Sequence, residues 1–203
     1  MSELLATTLA QAQQNSIPEL IAVILGVAYL LLAMRENILC WYAALISTAI
    51  FLVVFWDVRL YMESGLQVFY LIMAVYGWYQ WRGGLAESGP LAITSWSSRT
   101  HINIIVGVLV LSAVTGGLLD GYTDAELPFL DSVTTWGAIV TTYMVTKKVL
   151  ENWIYWFVID GISIYLYLDR GLYFTALLFA AYVIIVIFGY LSWQRSYQAQ
   201  MSH

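Results

Sequence analysis

Asp160 stands about ten residues into an apolar run, with Trp153, Trp156, Ser163 and Tyr167 around it at three- and four-residue steps. Such steps place side chains on one face of a helix. A carboxylate that deep in an apolar segment is costly unless it is paired or solvated. It could anchor a cation, a polar ligand or a proton, and the two indoles could form a wall on which a cationic ring stacks. The plainer alternative is a structural aspartate bonded to Ser or Thr on a neighbouring helix, with indoles that serve only packing or the membrane interface.

Other candidates are weaker singly. Gln67 and Tyr70 lie about one helical turn apart, with Tyr76 and Trp78 further along the same run. A buried amide such as Gln67 needs hydrogen-bond partners, from a ligand or from a neighbouring helix. Ser47 and Thr48, and the group Asp131, Ser132, Thr134, Thr135, Thr141 and Thr142, are polar points in apolar surroundings. Small hydroxyl residues often serve helix packing. Catalytic clusters are not in sight. The histidines are His101 and His203, both at run ends, and the lysines are Lys147 and Lys148 at another. A Ser-His, His-metal or retinal-type lysine site therefore has no place inside the bundle. Asp160 has no evident partner for an aspartyl pair. No enzyme, cofactor or metal is expected.

The elements that must position these residues are membrane helices. Of 203 residues, 61% are hydrophobic and 10% charged, against about 25% charged in soluble domains. Runs long enough to span a bilayer are predicted over Ile17–Met34, Ile38–Trp56, Gly65–Trp81, Ile102–Leu119, Phe129–Thr146, Leu150–Leu168 and Gly171–Trp193. They are too long and too evenly apolar for barrel strands. Trp41, Tyr42, Trp56, Tyr61, Trp78, Tyr79, Trp81, Tyr190 and Trp193 fall near run ends, as an interfacial belt would. The net charge of -5 argues against a nucleic-acid partner. Cys40 is alone and reads as a small apolar residue. Met1–Ser16 lacks the basic start and apolar core of a secretory signal and reads as a short tail. Arg35, Arg82, Arg99, Lys147, Lys148 and Arg195 fall on one side, with only Arg59 and Arg170 on the other. That asymmetry puts the first side in the cytoplasm, the N-terminus outside and the C-terminus inside. The acidic loop of Asp120, Asp124 and Glu126 then lies outside.

A shift of 112 residues aligns the two ends of the chain without a gap. Arg35 meets Lys147, Trp41 meets Trp153, Asp57 meets Asp169, Tyr61 meets Tyr173, Tyr70 meets Tyr182, Gly77 meets Gly189 and Trp81 meets Trp193. Two odd units can point the same way only if another span separates them. The expected plan is one transmembrane domain over 1–203: repeat one at 17–82, a linking helix at 102–119, repeat two at 128–194. Parallel repeats of this kind are a transporter architecture, with the substrate held near the midplane between them.

Leu66-Gln-Val-Phe-Tyr70, Tyr76-Gly-Trp-Tyr-Gln-Trp81, Pro128-Phe-Leu-Asp-Ser132 and Thr146-Lys-Lys-Val-Leu-Glu-Asn-Trp-Ile-Tyr-Trp156 together give a further signal. Through them the chain, from about Ile17 to Trp193, resembles the Pnu-type vitamin transporters. The resemblance implies an all-α membrane fold of seven spans in a 3+1+3, SWEET-like arrangement. It implies a homo-oligomer, a trimer, in a bacterial cytoplasmic membrane, and facilitated diffusion with trapping of the vitamin by phosphorylation. Its substrate-binding candidates are Trp153, Trp156, Asp160, Asn152, Gln67, Tyr70, Ser47, Ser163 and Glu151. Nicotinamide riboside members of the family carry asparagines at three inward positions, here Ser47, Ala74 and Asp160. The change of an amide to an acid resembles the thiamine-carrying branch, so thiamine is the first expectation and nicotinamide riboside the alternative. A vitamin-binding subunit of a larger energised complex is a third; it would favour a long basic coupling loop, and the loops here are short.

Overall fold

In the computed structural model the described residues are 17–57, 61–83, 91–123 and 127–202. They form seven helices: α1 (Ile17–Met34), α2 (Cys40–Asp57), α3 (Tyr61–Trp81), α4 (Ser98–Tyr122), α5 (Pro128–Thr146), α6 (Asn152–Asp169) and α7 (Tyr173–Met201). Met1–Ser16, Arg59, Asp124 and Glu126, used above for the tail and for orientation, lie outside the described residues.

Local chemistry sets the ends. α4 begins where the Ser97 side chain accepts from Thr100 N, an N-cap that satisfies an otherwise free amide. α5 begins with Pro128, whose missing N–H costs nothing in a first turn. α1 and α5 end in matching turns. Asn37 N donates to Leu32 O at 2.9 Å, and Val149 N to Met144 O at 3.0 Å. Each turn carries a non-glycine residue in the left-handed region, Glu36 at φ 53° and Lys148 at φ 50°. Such backbones cost of order 1 kcal/mol or more without glycine. α7 runs past Trp193 to Met201, because Gln194 to Gln200 are adequate helix formers although too polar to extend an apolar run.

The helices pack as a closed ring. α1 contacts α2, α2 contacts α3, α3 contacts α5, α5 contacts α6, α6 contacts α7, and α7 returns to α1. α4 packs outside the ring against α5. The ring thus has two three-helix groups, α1–α3 and α5–α7, joined at the α3–α5 and α1–α7 seams. Trp81 Nε1 near the end of α3 donates to Val145 O near the end of α5 at 3.1 Å. Trp193 Nε1 of α7 donates to Ala33 O near the end of α1 at 2.9 Å. These bonds gather the final turns of α1, α3 and α5 and the matching part of α7 at one end, so the two groups point the same way. Each partner in one bond lies 112 residues from its counterpart in the other.

The core is densest at that basic end. Trp41, Trp81, Trp193 and Trp153 form a chain of indoles with centroids 5.4, 5.9 and 5.4 Å apart in turn. All four are buried. The belt expected from their positions near run ends is therefore corrected for Trp41, Trp81 and Trp193: they face inward in this chain of rings, and glycines open the room for Trp41 and Trp153. A Cβ on Gly77 would overlap the Trp41 ring, and one on Gly189 would lie 2.5 Å from the Trp153 ring. Trp56 and Tyr79 are exposed, as a belt residue would be.

By length and composition, α1, α4 and α7 are apolar enough to cross a bilayer. α5 and α6 carry threonines, serines and aspartates on their packed faces, which lowers their mean hydropathy below that standard. Their outer faces remain apolar: Ile154, Phe157, Val158, Tyr165 and Leu168 of α6 are all exposed.

Candidate substrate site

α6 turns Trp153, Trp156, Asp160, Ser163 and Tyr167 inward, opposite the exposed apolar stripe just described. Asp160 is 4% exposed. Among the described residues no hydrogen bond or ion pair reaches its carboxylate. Tyr167 on the same helix and Tyr182 on α7 lie within its electrostatic reach. Tyr70 of α3 is in turn within reach of Tyr167 and of Tyr29 on α1. Tyr167, Phe179 and Tyr182 pack in sequence, with centroids 5.0 and 5.4 Å apart. The carboxylate thus faces two tyrosines of its own group, and Tyr167 carries the cluster on to Tyr70 of the other. A buried acid with polar rings and no fixed counter-charge suits a cationic heteroaromatic guest.

Tyr182 was noted in the sequence only as the counterpart of Tyr70. Its hydroxyl lies 3.5 Å from where a Cβ on Gly26 would stand, and Ser47 Oγ lies 3.7 Å from the same point. Tyr182 therefore links α7 to α1 and α2. The 112-residue match with Tyr70 was the available signal.

The other candidates divide. Ser47 donates to Ala22 O at 2.7 Å, which ties α2 to α1. Gln67 and Tyr70 are partly buried on α3, and Ser163 is buried one turn beyond Asp160. Trp156 is partly buried against the basic-end core. Trp153 is 2% exposed and edge-on to Trp193, a packed position rather than an open wall. Asn152 donates Nδ2 to Val149 O at 2.6 Å and closes the α5–α6 turn. Glu151 accepts from Ser95 Oγ, accepts from Trp96 N at 3.3 Å, and lies 3.7 Å from His101 Nε2.

Glu151 and Asn152 thus stand at the start of α6, about 12 Å along the axis from Asp160 at 1.5 Å per residue. The structure does not bring them to that carboxylate. Glu151 instead holds the extended segment 91–97, whose Thr94 pairs with the α5–α6 turn through Thr94 N to Lys148 O at 3.0 Å and Leu150 N to Thr94 O at 2.8 Å. His101, which the sequence placed at a run end, joins this group by a 3.0 Å contact from Nδ1 to Tyr155 OH. Among the described residues no cluster of His, Cys, Asp or Glu is fit to hold a metal. Two apolar clefts of about 330 and 300 Å³ lie at the α2–α3 and α3–α5 seams, and neither includes Asp160.

A ring of helices with a buried acid turned inward is an arrangement that membrane transporters use. Residues 16–195 match the family described as nicotinamide mononucleotide transporter. The chain belongs to that family. It is 26% identical to the nicotinamide riboside transporter PnuC of Escherichia coli, across 88% of this chain and 85% of that one. It is 25% identical to the riboflavin/roseoflavin transporter RibM of Streptomyces davaonensis, across 86% and 83%. The crystal structure of a vitamin B3 transporter PnuC matches with a TM-score of 0.73 at 21% identity, over 97% of this chain and 90% of that one. That likeness shows the fold.

Proposed function

We propose that this protein carries a cationic heteroaromatic vitamin across the membrane, and that nicotinamide riboside is its substrate. The observation that carries the reading is Asp160: a buried carboxylate without a protein partner among the described residues, inside a helical ring of a transporter family. The relatives named for nicotinamide riboside favour that vitamin over thiamine, which the sequence ranked first. Thiamine stays as a second reading on the family resemblance, which implies asparagines where this chain carries Ser47, Ala74 and Asp160; an acid suits a thiazolium as well as a pyridinium. A neutral flavin would gain no charge pairing from the carboxylate.

In this reading all seven helices cross the membrane as a 3+1+3 duplication of SWEET-like plan, and α4 gives the second group its parallel sense. The protein sits in the cytoplasmic membrane with the basic end inside and the N-terminus outside. It assembles as a trimer and moves substrate by facilitated diffusion, with phosphorylation in the cytoplasm trapping the vitamin. Trp156, Ser163, Gln67, Tyr70, Tyr182 and Ser47 surround the guest beside Asp160. Trp153, Asn152 and Glu151 support the site from the end of α6.

Calorimetric titration of the purified protein with nicotinamide riboside, thiamine and riboflavin tests this. Heat from the riboside and none from riboflavin is expected. Thiamine binding alone would establish the second reading, and riboflavin binding alone would remove Asp160 as the selecting group.

A further inference from the structure

The two left-handed turns that end α1 and α5 meet at the basic end, and one side chain from each closes the space between them. Lys148 Nζ donates to Glu36 Oε2 at 2.9 Å, and the two residues are 112 apart. The pair therefore lies across the relation that exchanges the two helix groups. The Lys148 side chain is 7% exposed and that of Glu36 23%. The same ammonium lies 4.7 Å from the centroid of the Trp81 ring. Trp81 touches Trp193, and each of these indoles donates to a carbonyl of the opposite group, Val145 O or Ala33 O. Every one of these contacts joins one group to the other.

Glycine is the residue that such backbone turns favour. Here two oppositely charged residues hold them instead, and each reaches the other. Removing one partner of a pair shielded this far costs more than at the surface, because the other charge is left uncompensated; the intact pair can still be broken and re-formed when water enters. A charge pair with a ring beneath it adds to the packing contacts a polar tie that hydration of its two ends weakens.

We propose that the Lys148–Glu36 pair, seated on Trp81, is a latch that keeps the basic end of the ring closed, and that passage of substrate through that end requires it to open. The proposal rests on the transporter reading above. It predicts that opening exposes the interior behind the four indoles. Cys40 lies there, fully buried beside Ala33, Trp41 and Trp81, and is the chain's single cysteine. Its thiol is a built-in reporter of opening.

The test measures the rate at which a small maleimide labels Cys40 in the full protein without substrate. Glu36→Gln and Lys148→Met should each raise the rate about tenfold or more, since either leaves a charge or its partner uncompensated. The exchange variant, Glu36→Lys with Lys148→Glu, rebuilds the pair, and by the 112-residue relation its ammonium would lie over Trp193. It should return the rate toward that of the parent protein. Single variants that label no faster than the parent overturn the latch. So does fast labelling that the exchange fails to slow, because that pattern belongs to lost packing rather than a lost pair. Vitamin binding is not read in this experiment, so failure of the substrate reading would appear only in the calorimetry.

Discussion

The Asp160 carboxylate and the Trp153 indole share a helix face but do different things. Asp160 is buried and makes no hydrogen bond among the described residues, so its removal should leave folding largely intact. Asp160→Asn is expected to weaken binding of a cationic vitamin about tenfold, the scale of one charge-assisted contact, with little change in thermal melting. Unchanged affinity in calorimetry would take the carboxylate out of the site. Trp153 is instead seated on Gly189 and edge-on to Trp193. Trp153→Ala should destabilise by about 3–5 kcal/mol, as large-to-small aromatic changes in cores do, visible as a loss of folded protein. Trp156→Ala should lower affinity while the melting temperature moves far less. Reversed outcomes for the two indoles would exchange their roles. The sequence could place both on one face of α6, because helical periodicity fixes direction. It could not tell stacking wall from packed wedge, because that distinction is made by Gly189, which is 36 residues away on another helix.

At the scale of elements, the two halves solve one packing problem twice. α2 brings Trp41 onto Gly77 of α3, and α6 brings Trp153 onto Gly189 of α7. A methyl group at either glycine would collide with an indole whose other face is already packed. Gly77→Ala and Gly189→Ala should therefore cost about 1–3 kcal/mol each, the range for overpacking a filled core. The two costs should be alike, as judged by denaturation in mild detergent; a large cost at one and none at the other would show that the matching seats are not equally filled. The helices themselves were legible: α1 and the end of α5 fall where hydropathy put them, because charged turns bound them. The segment 91–97 was not. Its pairing with the α5–α6 turn depends on two backbone bonds from Thr94, and neither periodicity nor hydropathy encodes a contact between segments more than fifty residues apart. The same limit hid the group of Glu151, Ser95 and His101.

For the whole molecule, the proposed facilitated diffusion is tested by its energetics. Proteoliposomes should equilibrate nicotinamide riboside down its own gradient, with rates indifferent to an imposed sodium gradient. Accumulation above the outside concentration driven by sodium or by protons would overturn facilitated diffusion. The expectation of a repeat rests on a 112-residue shift, and the two indole–carbonyl bonds stand at that same spacing. What the shift could not supply was the ring's closure, since the α3–α5 and α1–α7 seams pair surfaces that no alignment of the halves compares.

The indole chain gives the protein an optical property. Rings 5.4 Å apart, as in Trp41–Trp81 and Trp153–Trp193, are close enough to share excitation rather than emit independently. The middle pair, Trp81–Trp193, belongs to different helix groups, so separation of the groups at that end would divide one coupled set of four chromophores into two coupled sets of two. Near-ultraviolet circular dichroism would register that division without any added label, while total emission would average it over all nine tryptophans.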